Sequence, residues 1–365
     1  MQNDLLYKIG ITLISGVGDI NAKKLIAACG GAEEVFKSKK HQLLKIEGVG
    51  EYIADAVIKQ NVLSRAEKEI KFIEKNQIQA LFYTDKKYPQ RLKQCADSPV
   101  MLYYKGTADL NNRKVIGMVG TRKATDYGKQ FCAELIKHLQ VHQPLIVSGM
   151  AYGIDICAHR ESVKHNMETV GVLAHGLDDL YPSQHRSTAD KMLQHGGLLS
   201  DYLSETNPDR ENFPKRNRIV AGMCDAIVVV EAGITGGALI TAEIANSYSR
   251  DVFALPGRIG DPYSAGCNKL IKINKAALIE SYADISYLLG WQQEEVKAAK
   301  QAKLWLDLTD EELKIVEYLK ENGQMPIDEL CYTSGLSMSK AAALLLNLEF
   351  SGVVKSLPGK IYQLM

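Results

Sequence analysis

The chain has 365 residues, 46% of them hydrophobic and 24% charged, which excludes a disordered polymer and predicts two or three domains with a large core. A formal charge of +1 excludes a uniformly basic body, so any polyanion site must arise from local clusters of Lys and Arg. Seven cysteines without a C-x-x-C pair argue against a disulfide frame or a zinc site, and no apolar stretch approaches membrane-spanning length. The expectation is a cytoplasmic protein with reduced thiols, no metal, no cofactor and no contact with membrane.

One pattern occurs twice near the start. Leu13–Leu25 reads LISGVGDINAKKL and Leu44–Val57 reads LKIEGVGEYIADAV. In each, Gly-Val-Gly is followed four residues later by alanine (Gly16, Gly18, Ala22; Gly48, Gly50, Ala54). Two glycines around one apolar residue let the chain reverse tightly between helices, and the alanine lets those helices approach. The pattern resembles a tandem helix-hairpin-helix, an all-α (SAM-like) domain over 1–76. Proteins of that type hold phosphates with hairpin N–H groups and a nearby lysine. Here Lys23 and Lys24 flank the first hairpin, whereas Glu47 and Glu51 flank the second. Residues 62–76 read as a charged connecting helix and Ile78–Thr84 as a strand.

From Lys114 strands and helices alternate. Strands are predicted at 114–119, 145–148, 169–174, 197–200, 225–230 and 252–254. Helices are predicted near 126–140, 154–166, 184–195, 216–223 and 238–249. Such alternation makes an α/β fold, a doubly wound, mostly parallel sheet over 77–290, with its loops at the carboxyl edge.

Several of those loops carry chemistry. The apolar run of Val115–Val119 stops at Gly120 and Thr121; Arg122 and Lys123 follow, and a helix begins near Thr125 or Asp126. Such a turn offers free N–H groups beside a cation, a phosphate cradle. Neither G-x-G-x-x-G nor G-K-[ST] is present, so no dinucleotide or P-loop site is indicated. The second loop, Ser148–Asp155, brings small residues including Gly149, with Tyr152 beside them. Asp155 and His159 share a helix face, read as a structural hydrogen bond. A third loop runs from Tyr181 to Arg186. A fourth ends in Phe213-Pro214-Lys215-Arg216-Asn217-Arg218, three cations in four residues just before a helix. Phe213 and Tyr181 are suited to stacking bases of any sequence. After Glu231, Gly233, Gly236 and Gly237 lead into another helix, and a last loop adds Arg258, Asn268 and Lys269.

Residues 292–303, QQEEVKAAKQAK, are polar, and 291–305 read as a linker. Helical patterns at 309–322, 326–331 and 337–350, then a ribbon around Gly352 and Gly359, follow the order of a winged-helix domain over 306–365. That segment carries nine acids against five bases, and its third helix has only Lys340. Such a surface repels phosphates and suits contact with protein.

Eight blocks in one order extend the reading: GMVGTRKATDYG, IVSGMAYGIDICAH, YP, FPKRNRIVAG, VVVEA, GALITAEIA, VFALPGRI and GCNKLI. Over roughly 80–290 the chain resembles the DNA-processing protein A (DprA/Smf) family. The resemblance implies a Rossmann-like domain that binds single-stranded DNA in a basic pocket at the sheet edge. It also implies protection of incoming strands in natural transformation, delivery to a RecA-type recombinase, and a homodimer through that domain. Carried over by motif, the pocket holds Gly120, Thr121, Arg122, Lys215, Arg216 and Arg218, with Arg186 nearby. Tyr152 stands where many members have a basic residue. Two other readings use the same fold. Gly236, Gly237 and Glu243 are similar to part of the PGGxGTxxE motif of nucleotide phosphoribohydrolases, but Leu239 and Ile240 replace its Gly-Thr. A sensor of small nucleotides would use the same cradle.

Overall fold

The computed structural model describes residues 2–291, 308–357 and 359–364. Met1–Tyr282 form one compact unit and the chain from Ala283 a second.

In the first unit, both Gly-Val-Gly segments turn in the same way. Gly16 and Gly48 hold φ of 79° and 82°, the left-handed region that favours glycine. Gly18 and Gly50 then precede helices Asp19–Cys29 and Glu51–Lys59, whose Ala22 and Ala54 are buried. The repeat therefore encodes two equivalent turns. The core of this helical region does not stop at the connecting helix Leu63–Lys75. It continues into Phe82, Val100, Met101 and Tyr103 at the edge of the sheet.

The sheet has nine strands: β1 (Gln79–Phe82), β2 (Met101–Gly106), β3 (Val115–Val119), β4 (Leu145–Ser148), β5 (Thr169–Val172), β6 (Gly196–Ser200), β7 (Ala226–Val229), β8 (Asp251–Ala254) and β9 (Ala277–Leu278). Their order is β1-β2-β6-β5-β4-β3-β7-β8-β9. β1 and β2 pair antiparallel with their neighbours, and all pairs from β6 to β9 are parallel. β3, β4 and β7 are wholly buried, as their unbroken apolar runs require. The winding runs one way from β3 through β4, β5 and β6, and the other way from β7 through β8 and β9. The direction reverses between β3 and β7. That reversal opens a crevice at the strands' carboxyl ends, where open α/β sheets receive ligands.

One helix starts earlier than the sequence pattern suggests. Helix Asn212–Met223 already contains Phe213, Pro214 and Lys215, which were expected in the loop. Proline suits a first turn because its missing N–H would be unpaired there anyway. This shift decides where three cations point.

The second unit contains helices Asp310–Asn322, Ile327–Ser334 and Met338–Phe350 and a three-stranded sheet. Val354–Leu357 and Ile361–Leu364 form the expected ribbon, and Gln324–Pro326 adds an edge strand. Thr309 caps the first helix in a capping box with Glu312. Of the expected linker, 292–305 lie outside the described residues.

Candidate functional site

An open cleft of about 630 Å³ lies at the β3–β7 reversal. Gly120, Thr121 and Arg122 enter it after β3, Gly149 after β4, Tyr181 after β5, and Arg210, Phe213 and Arg216 before β7. The loop after β7, including Gly236 and Gly237, forms its far wall.

The loop after β3 is held from below. Thr121 N donates to Glu231 O at 2.6 Å, and Lys123 N to its neighbour Thr121 Oγ1 at 3.1 Å. Thr125 N and Oγ1 both donate to the Glu231 carboxylate, at 2.9 and 2.5 Å. The start of helix Asp126–Leu139 is therefore already occupied by a carboxylate. This corrects the expected phosphate cradle: alternate N–H groups of Gly120–Thr125 face inward, and the helix end is filled by Glu231. Across the cleft, helix Gly237–Ser247 has no side-chain cap, and Gly236 and Gly237 present its first turn to the open space.

Arg122 remains outward. It is exposed, its guanidinium sits 5.4 Å from the Phe213 ring centroid, and no carboxylate among the described residues pairs with it. Tyr181 stands 6.1 Å from Phe213, ring to ring, so an arginine and two rings share one wall. Tyr152 extends this wall, bonding Gln184 at 2.8 Å and meeting His185 edge-on. A small recess beneath is lined by Arg122, Tyr152, Tyr181, Phe213 and Arg216.

Lys215, Arg216 and Arg218 do not converge. Successive helix positions turn by about 100°, so three cations in four residues fan out. Lys215 is exposed and 3.8 Å from Glu211. Arg216 is buried beneath Gly149, donates to Val172 O, and leaves Nε without a partner. Its counter-charge is Asp155, whose carboxyl burial pushes up to about 6 while Arg216 pulls it down. A Cβ on Gly149 would stand 2.3 Å from Asp155 and 2.6 Å from the guanidinium, so any side chain there displaces this pair. Gly153 holds φ of 82° and would strike Thr121 O with any side chain.

Arg218 is a correction. It bonds Asp19 and Asp201, each at 3.0 Å, and the backbone of Asp97, so it joins the hairpin region to the sheet instead of lining the cleft. Lys23 also turns inward, donating to Ser98 Oγ at 2.6 Å. Asn268 and Lys269 are corrected too: neither lines the cleft, and the Asn268 amide bonds Gly257 N and O at 3.1 and 2.9 Å. Arg186 is exposed, 3.8 Å from Asp179, and outside the cleft lining. Lys123 is exposed at the rim. Sequence reasoning missed Arg210, because Asp209 and Glu211 around it look like a mixed-charge surface. No ion pair among the described residues engages it.

Glu243, the residue of the glycosidase alternative, does not line the cleft. It is solvent-facing, 3.9 Å from Lys275.

His159 does not bond Asp155, as its spacing suggested. Nε2 donates to Gly149 O at 2.6 Å, and Nδ1 lies 2.7 Å from Thr169 Oγ1, a hydroxyl that also has Ile146 O at 3.0 Å. Burial lowers its pKa from 6.5 to about 4, so the folded ring stays neutral while the unfolded one takes a proton. Its contribution to stability is therefore lost as pH falls from 6.5 through 4. Asp155 and Asp201 act oppositely, since both are raised from 3.8 to about 6 and their contribution fades as pH rises through 6. A His159→Gln variant isolates the first effect. In urea unfolding, its deficit against the wild type should be smaller at pH 4.5 than at pH 7; an unchanged deficit contradicts the assignment.

The family model described as DNA recombination-mediator protein A matches residues 79–290, and one for the DprA winged helix domain matches 298–360. The chain belongs to the DNA recombination-mediator protein A family. Among DprA/Smf relatives, Protein Smf of Synechocystis is 32% identical over 99% of both chains. The DNA processing protein DprA of Bacillus subtilis is 41% identical over 53% of this chain and 66% of its own. The crystal structure of Streptococcus pneumoniae DprA superposes with a TM-score of 0.67 at 30% identity, covering 77% of this chain and 96% of that one. A Helicobacter pylori DprA structure, described as showing a single-stranded DNA binding mode, gives 0.54 at 28% identity over 59% and 97%. The DprA/Smf assignment carries with it the mostly parallel sheet, the helical N-terminal region and the winged helix at the C-terminus. Among the described residues no helix is long and apolar enough to cross a membrane.

Proposed function

We propose that the chain binds single-stranded DNA in the β3–β7 cleft and acts as a mediator without catalysis. The observation that carries this reading is Arg122 lying over Phe213, beside Tyr181, with no carboxylate among the described residues in ion-pair contact with it. A guanidinium and aromatic faces at one edge serve phosphate and base together, for any sequence. The binding residues are then Gly120, Thr121, Arg122, Lys123, Gly149, Tyr152, Arg210, Phe213, Lys215 and Arg216. The single-stranded DNA binding mode described for the Helicobacter pylori relative supports the choice of ligand.

Family membership supports the wider role: protection of incoming strands, loading of a RecA-type recombinase, and a homodimer through the Rossmann-like domain. We propose the division 1–76, 77–290, 291–305 and 306–365 for hairpins, DNA-binding domain, linker and winged helix. Lys340, the one cation of the third winged helix, is 2.5 Å from Glu311, which favours a protein contact there over a DNA groove.

Four exposed cations, Arg122, Lys123, Arg210 and Lys215, imply that log K for oligo-dT falls with log salt at a slope of about −3. Arg122→Ala should weaken binding by about 1.5–3 kcal/mol and flatten that slope by about 0.7. Fluorescence titration of oligo-dT at several salt concentrations reads both. Equal affinity and slope in the variant would remove Arg122 from the site.

A further inference from the structure

A second, larger recess of about 940 Å³ lies on the other side of the β3 loop. Gly120–Arg122 line the cleft, whereas Thr125 and Tyr127, a few residues on, line this recess. The exposed Lys123 lies between these two sets in sequence. The opposite wall is the segment after β8, with Pro256, Arg258, Pro262 and Tyr263.

This wall is built, not loose. Asn268 clamps Gly257 through both amide atoms. Tyr263 O accepts from Ala232 N at 2.7 Å, and Tyr127 Oη donates to Pro256 O at 3.1 Å. A Cβ on Gly257 would stand 2.0 Å from Ser264 Oγ, so the segment closes only around glycine. Asn268, whose expected DNA contact the cleft does not show, thus finds its place as the brace of this wall.

The chemistry selects the occupant. Walls of tyrosine and proline favour a flat apolar face. Glu231 and Asp261 at the same recess repel a phosphate group, while Asp261 can accept from a base's amino or imino N–H. Arg258 is exposed, without an ion pair among the described residues, and suits a phosphate at the mouth.

We propose that this recess receives a nucleobase of the same single strand after it leaves the cleft across the β3 loop. The inference rests on the cleft reading above. Two oligo-dT lengths test it, one long enough only for the cleft and one several nucleotides longer. Tyr127→Leu and Arg258→Gln should each weaken the long oligonucleotide about five- to tenfold and leave the short one unchanged. Wild-type protein with 5-iododeoxyuridine in the long oligonucleotide should photocross-link to Tyr127 or Tyr263, read by mass spectrometry, which needs no variant to fold. Absence of that cross-link, or equal losses at both lengths, overturns the second site. Failure of the wild type to bind either length instead overturns the cleft reading.

Discussion

Arg216→Met is expected to lose about 3–5 kcal/mol of stability, the largest effect of any single change at the cleft. The guanidinium is 4% exposed and faces an equally enclosed Asp155. Removing it strands a carboxylate away from water and also leaves Val172 O without its donor. Asp155 then holds its proton more tightly. The sign follows: a carboxyl raised in the folded state gives stability at low pH and loses it as pH rises. The deficit of Arg216→Met should therefore be smaller at pH 5 than at pH 8 in urea unfolding. Adding Asp155→Leu should recover part of the loss, because a missing pair costs less than half a pair. Additive losses in the double variant would show that the two residues are not coupled.

Arg218→Ala is expected to cost a similar amount, about 3–5 kcal/mol, with little change in oligonucleotide affinity. Its guanidinium separates Asp19 from Asp201, and the latter is held at a pKa of about 6 by burial with Asp19 adding to the rise. Without the arginine, the enclosed Asp201 carboxylate faces the part-exposed one of Asp19 across the junction of the hairpin region and the sheet. The contrast with Arg122 is the useful part. Two arginines that look alike in sequence should separate, one acting on affinity and the other on stability. A large affinity loss at unchanged stability in Arg218→Ala would return that residue to the cleft.

Much of the fold was legible because it rests on local signals. Unbroken apolar runs mark buried parallel strands, and the repeated Gly-Val-Gly marks two turns with positive φ at Gly16 and Gly48. The carboxyl edge followed from alternation alone. What was not legible depends on angles and on distant partners. A helix beginning at Asn212 instead of near Arg216 rotates Lys215, Arg216 and Arg218 to different sides. The partners that neutralise Arg218 lie 199 and 17 residues away in sequence. Glu231, which fills the helix end after β3, is 106 residues from Thr125. Arg210 was hidden by the opposite reason, since acidic neighbours in sequence do not engage it in space.

The most direct test of the central claim is a crystal structure of the full chain with oligo-dT. The expected strand runs along the β3–β7 cleft, with phosphates at Arg122 and Arg210 and a base against Phe213 or Tyr181. A strand seated instead on the Gly16 and Gly48 turns or on the winged helix, with the cleft untouched, would contradict it.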